Sequence, residues 1–232
     1  MHGLGATEGE ARIPASGLPG TRVVLTLPGH GTAADPPPDY WDYEQIAADV
    51  VDVADEVAAT RAVGVSLGSG ALTRIVAERP DRFDAVALLL PAALDGPRTA
   101  ETVGVFHDLA DAVAAAATDG GARLHQLLRA GVPEDADLGA HLQQRAAALQ
   151  RLEEALRALP FRYPIDDAAA LAAVRASVLV IGARQDPLHP ISTARATAAA
   201  FPGSRLEVLP SAAPMLTHRQ QLRTMLVEHF GR

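Results

Sequence analysis

Gly64-Val65-Ser66-Leu67-Gly68 constrains this chain more than any other stretch. The β-branched run Ala62-Val63-Gly64-Val65 leads into it, and a helix-forming segment ending at Glu78-Arg79-Pro80 follows. A strand that passes at once into a helix through Gly-x-Ser-x-Gly predicts a sharp turn with Ser66 at its apex and the hydroxyl exposed. Glycine at 64 and 68 removes the Cβ atoms that would collide across so tight a bend. The amide of Leu67, at the start of the helix, points where an oxyanion would form. The plainer reading is a glycine-rich turn whose serine caps a helix.

The rest of the chain supplies the frame that such a turn needs. Arg22-Val23-Val24-Leu25-Thr26-Leu27 reads as a buried strand stopped by the turn Pro28-Gly29-His30-Gly31. A helix follows from near Tyr43, with Ile46, Val50, Val53 and Val57 along one face. After the Ser66 helix comes Ala85 to Leu90, apolar throughout, as expected of a strand covered on both faces. Strand–helix alternation predicts an α/β fold: a mostly parallel sheet with helices on both faces. Between 95 and 167 the strand signal stops. Three helical patterns replace it: Val103, Phe106, Ala110 and Val113; a short one from Leu124 to Leu128; and Leu138, Leu142, Leu149, Leu152 and Leu156. Residues 95–167 are therefore expected to form a helical lid inserted into a core made of 1–94 and 168–232. The alternation resumes with Val178-Leu179-Val180-Ile181, a helix from about Ile191 to Phe201, the strand Leu206 to Leu209, and a last helix from Thr217 to Phe230. Thr217 and Gln220 are spaced as a capping box.

Composition narrows the partner. A formal charge of −8 with no basic run argues against nucleic acid or an anionic membrane surface and favours a small-molecule substrate. With no cysteine, a disulfide scaffold, a thiol nucleophile and a cysteine-ligated metal are excluded. No metal or other cofactor is expected. The first residues do not read as a signal peptide and no apolar run is long enough for a membrane span, so a cytoplasmic monomer or homodimer is the expectation.

Taken together, these pieces resemble the α/β-hydrolase superfamily, in its lidded branch of esterases, C–C bond hydrolases and cofactor-free haloperoxidase-like enzymes. The resemblance rests on His2-Gly3-Leu4-Gly5, Leu27-Pro28-Gly29-His30-Gly31, the stretch Gly64 to Gly68, Pro80-Asp81-Arg82-Phe83, and Gly182-Ala183-Arg184-Gln185-Asp186-Pro187-Leu188-His189-Pro190. It implies Ser66 as nucleophile, the backbone amides of Leu4 and Leu67 as oxyanion donors, and Asp186 as the acid that orients a base. A serine hydroxyl is a weak nucleophile until an adjacent base takes its proton. Asp186 could also be a plain turn-former before Pro187, and Asp95 is a second, less favoured position for the acid.

Two departures from the family pattern stand out. The family's base follows the last strand, where this chain reads Leu209-Pro210-Ser211-Ala212-Ala213-Pro214-Met215-Leu216-Thr217-His218, so the expected histidine falls on Ala212 or Pro214. His218 is the candidate base if the loop folds back. His189, three residues after Asp186, is another, although a loop histidine between prolines suits a structural role. His2 and His30 belong to turns, and His107, His125 and His141 to the lid. The second departure is the N-terminus, where the family carries a hairpin and a further strand before the His-Gly turn, a strand that sits mid-sheet between the Val23 and Val63 strands. A start upstream of Met1 would supply it, since a missing central strand leaves two ladders unpaired. The implied function is hydrolysis of a small apolar carboxylic ester or related acyl or C–C bond; a fold member without hydrolytic activity is the alternative.

Overall fold

The computed structural model describes residues 1–132 and 139–231. Four apolar runs form the sheet: β1 (Arg61–Val65), β2 (Ala85–Leu89), β3 (Ser177–Ala183) and β4 (Arg205–Leu209). All pairings are parallel and the order is β1-β2-β3-β4, with Val65 opposite Leu89 and Leu89 opposite Ile181. Every residue of β2 is buried, as a central parallel strand requires, whereas β4 at one edge is mostly half-buried. Successive side chains point to opposite faces. Val86, Leu88, Val178 and Val180 join one apolar cluster, and Ala87, Leu89, Leu179 and Ile181 the other.

The first face is covered by α2 (Tyr43–Glu56), α3 (Leu67–Glu78) and α8 (Ile191–Ala200); the second is covered by α10 (Arg219–Phe230). Helix α2 begins where the apolar spacing places it, capped by Asp42, whose carboxylate accepts from the Glu44 amide (2.9 Å). Ile46 and Val50 face the core, while Val57 lies past the helix end and is exposed.

The run 22–27 does not form a strand. A strand needs a partner ladder for its backbone groups, and the flank of β1 is taken by Met1, whose amino group donates to the Val63 carbonyl (2.6 Å) and whose carbonyl accepts from the Val65 amide (3.2 Å). Val23 is accordingly 51% exposed, and within the run Leu27 alone is fully buried. A short helix that the apolar pattern does not announce, α1 (Glu8–Arg12), forms instead on a capping box between Thr7 and Glu10.

Between β2 and β3 lie α4 (Ala100–Asp119), α5 (Ala122–Ala130), α6 (His141–Leu149) and α7 (Glu153–Ala158), then 3-10 turns at Leu159–Phe161 and Ala168–Ala173. The third helical pattern of the sequence is thus split in two between Leu149 and Glu153; Leu138, its first position, lies outside the described residues. The ends of the segment are tied together, since the Ile165 amide donates to the Leu94 carbonyl and the Ala168 amide to Asp95 Oδ2 (3.3 Å each). Asp95 is therefore engaged where this helical segment begins and ends.

At the C-terminus one expected helix is two. α9 (Pro214–Thr217) ends before α10, and no capping box forms on Thr217, whose hydroxyl donates back to the Ala213 carbonyl (3.0 Å). Thr217 closes a helical turn, so its backbone does not take the extended geometry of an N-cap. Among the described residues no helix is long and apolar enough to cross a membrane.

Candidate active site

Ser66 stands between β1 and α3 with φ 51° and ψ −108°, a sparsely populated conformation that costs on the order of 1–3 kcal/mol. The surrounding structure holds it there. Its amide donates to the Leu89 carbonyl (2.8 Å), and its carbonyl accepts from the Gly70 amide (3.1 Å) and the Ser69 hydroxyl (2.7 Å). A Cβ on Gly64 would lie 2.3 Å from the Gly68 carbonyl oxygen, so the bend closes only around a glycine. Although Ser66 occupies the N-cap of α3, its side chain makes no capping bond. The hydroxyl is directed elsewhere.

It meets His189. The Ser66 Oγ to His189 Nε2 distance is 2.8 Å, and His189 Nδ1 lies 2.7 Å from Asp186 Oδ2. With Nδ1–H donating to the carboxylate, Nε2 carries a lone pair and accepts the serine proton, the tautomer a general base needs. Both side chains are well covered, 13% exposed for His189 and 9% for Asp186. Asp186 Oδ1 also accepts from the amides of Leu188 (3.0 Å) and His189 (3.3 Å). Burial alone would raise its carboxyl pKa; the charge and hydrogen bonding of His189 and the two amides outweigh it and hold the carboxyl below its usual range.

His218 is not at this position. It lies at the start of α10 with Nδ1 2.7 Å from the Thr217 hydroxyl, in a segment pinned by a 2.7 Å contact between the Ser211 and Thr217 hydroxyls. The loop after β4 runs into α9, and among the described residues the hydrogen bond to the Ser66 hydroxyl comes from His189. The imidazole on Ser66 comes instead from the loop after β3. The sequence signalled only the pairing of Asp186 with a nearby histidine, since an Asp whose side chain accepts from the second and third amides after it turns the chain tightly. In Asp186-Pro187-Leu188-His189 that turn brings acid and imidazole together without a second loop.

The turn carrying Leu4 presses on the same serine. A Cβ on Gly3 would sit 3.1 Å from the Ser66 Cβ. Two buried histidines hold this turn, with ring centroids 4.4 Å apart. His30 Nε2 accepts from the Gly5 amide (2.9 Å), which leaves Nδ1 to donate to the Pro28 carbonyl (3.0 Å). His2 Nε2 accepts from the Leu27 amide (3.1 Å), and its Nδ1 donates to the Gly3 carbonyl (2.9 Å). Burial keeps both rings neutral, lowering His2 and pushing His30 down to about 4. Leu67, the first residue of α3, has no carbonyl four positions back within its helix, so its amide is free of the ladder at the serine's side. Two clefts of about 580 and 660 Å³ lie elsewhere, one against Arg79–Arg82 and one against Arg219 and Arg223.

A parallel sheet with a serine on a strained strand–helix bend, joined to an imidazole and a carboxylate, defines the class. The chain belongs to the alpha/beta hydrolase family, whose pattern it matches over residues 1–223. An esterase from Exiguobacterium antarcticum superposes with a TM-score of 0.75 at 17% identity, covering 100% of this chain and 90% of that one. A hydrolase from Pseudomonas aeruginosa gives 0.72 at 22% identity, covering 100% and 88%. The enol-lactonase from Burkholderia xenovorans LB400 gives 0.66 at 22% identity, covering 100% and 89%. No curated protein sequence matches the chain.

Proposed function

We propose that the chain is a serine hydrolase that cleaves small, largely apolar carboxylic esters, open-chain or cyclic, through an acyl-enzyme on Ser66. The carrying observation is the continuous relay from Asp186 through His189 to Ser66 at the strained bend. Esters are also what the esterase and enol-lactonase neighbours act on by name.

In this reading His189 Nε2 takes the hydroxyl proton as Ser66 Oγ attacks the ester carbonyl. The amides of Leu67 and Leu4 receive the oxyanion, and preorganised donors of this kind are worth roughly 3–4 kcal/mol each in subtilisin. His189 then returns the proton to the departing alkoxide. A water deprotonated by the same nitrogen attacks the acyl-enzyme, the second tetrahedral intermediate collapses, and the carboxylic acid leaves, to ionise in water, as Ser66 regains its proton from His189. Asp186 stays ionised throughout and fixes the ring's tautomer. The helical segment 95–167 acts as the lid over this site. Phe106, Leu109, Leu124 and Leu128 of this segment join the same apolar cluster as Leu67 beside the serine, which supports an apolar acyl or alkyl group.

Labelling by a fluorophosphonate, with turnover of short p-nitrophenyl esters, tests the reading. The expected result is stoichiometric modification at Ser66 and a loss of about 10⁴- to 10⁶-fold in kcat for His189→Ala, the scale of the subtilisin triad. His218→Ala should retain the wild-type rate. Turnover in wild type no faster than in Ser66→Ala would overturn the proposal.

A further inference from the structure

The acid and the base of this site share one loop, and a buried hydroxyl from α4 is bonded to that loop between them. Thr102, in the first turn of α4 and 1% exposed, donates through Oγ1 to the Pro187 carbonyl (3.1 Å), between Asp186 and His189. Its own place is set locally. The Thr102 amide donates to Thr99 Oγ1 (3.2 Å), the N-cap of α4, and the two threonine hydroxyls are 3.1 Å apart. Besides the His189 contact to Ser66 and the packing of Leu188 on the apolar cluster, the loop has bonds from the Leu188 and His189 amides to Asp186 that are internal to it. They preserve the shape of the Asp–His pair but do not fix its distance from Ser66.

We propose that Thr102 is a positioning residue that fixes the Asp186–His189 loop against Ser66 and so ties the base to the inserted helical segment. The proposal rests on the serine-hydrolase reading. Its physical content is that the Asp186–His189 pair moves as one body. Loss of the tether lengthens the Ser66 to His189 contact while leaving the carboxylate on the imidazole. Reaction geometry suffers and the electrostatics of the base do not. Near-attack alignment is sensitive to displacements of this order.

The test compares Thr102→Val, nearly isosteric but unable to donate, with Thr102→Ser, which keeps the donor, using p-nitrophenyl ester turnover and the fluorophosphonate labelling rate. Thr102→Val should lower kcat and the labelling rate in parallel by about tenfold, the scale of one lost buried hydrogen bond, with KM within about twofold. Thr102→Ser should recover most of the rate. The acid limb of the kcat/KM profile should stay in place in Thr102→Val and move in Asp186→Asn, which removes the charge behind the imidazole. A merely structural role for Thr102 would lower the melting temperature without this split. If Thr102→Val does not fold, Thr102→Ala takes its place in the same assays. A folded donor-less variant with wild-type kcat and labelling overturns the inference while leaving the hydrolase reading intact; a wild-type protein that is not labelled overturns both.

Discussion

A backbone held at φ 51° is tolerable for Ser66 because its immediate neighbours are small where the bend closes. Gly64 matters most, since the position of its missing Cβ falls 2.3 Å from a backbone oxygen that cannot swing aside. Gly64→Ala must therefore open the turn, lengthening the contact between Ser66 and His189. We expect at least about 3 kcal/mol of lost stability in urea denaturation, toward the upper end for overpacking, together with loss of the proposed ester turnover. An active, equally stable Gly64→Ala would show that the bend can relax without moving the serine. At the same scale, His189 shows how little sequence a carboxylate and an imidazole need to meet once a side-chain turn reverses the chain between them.

Among the elements, β2 carries the largest share of the framework. It is buried on both faces, pairs with β1 and β3, and delivers the Leu89 carbonyl that holds the Ser66 amide. Leu88, 0% exposed, packs into the cluster shared with α3 and α8. Leu88→Ala should cost about 3 kcal/mol through lost transfer energy and a residual cavity. The denaturant midpoint should fall with the slope m unchanged. A loss under about 1 kcal/mol would mean the layer collapses around the gap. The contrast with 22–27 is instructive. Both runs are rich in β-formers, but β2 finds partners on each side, whereas the 22–27 run lies outside the four-stranded ladder. Strand propensity expresses itself only where a neighbouring backbone accepts the hydrogen bonds.

Over the whole molecule, the paired histidines beneath the Leu4 turn link acidity to folding. Burial first, then the adjacent His2 and Arg151, lower His30 from an ordinary 6.5 to about 4. Between those values the unfolded chain binds a proton at His30 that the folded chain refuses, so ν for the unfolded state exceeds that of the native state and stability rises with pH. Acidification from 6.5 toward 4 should therefore remove stability, roughly 3 kcal/mol at the full span for this one group. Urea titrations across that range should show the slope reduced by close to one proton in His30→Gln, which cannot titrate. An unchanged slope would assign the acid sensitivity to other groups.

Much of this protein is written locally. The β1–turn–α3 unit, the apolar strands β2 and β3 and the helix at Tyr43 follow from periodicity, glycine placement and short motifs, because each depends on residues only a few positions apart. Three matters were settled by tertiary structure. The 22–27 run lacked a partner ladder, and Thr217 was drawn into the end of α9. The base was chosen by distance in space: Ser66 and His189 are 123 positions apart, and no local pattern can tell which of several histidines the parallel sheet will bring beside a given hydroxyl. The parallel pairing of the four strands sets their ends side by side, and the tight turn at Asp186 in the loop after β3 then brings the His189 imidazole onto Ser66.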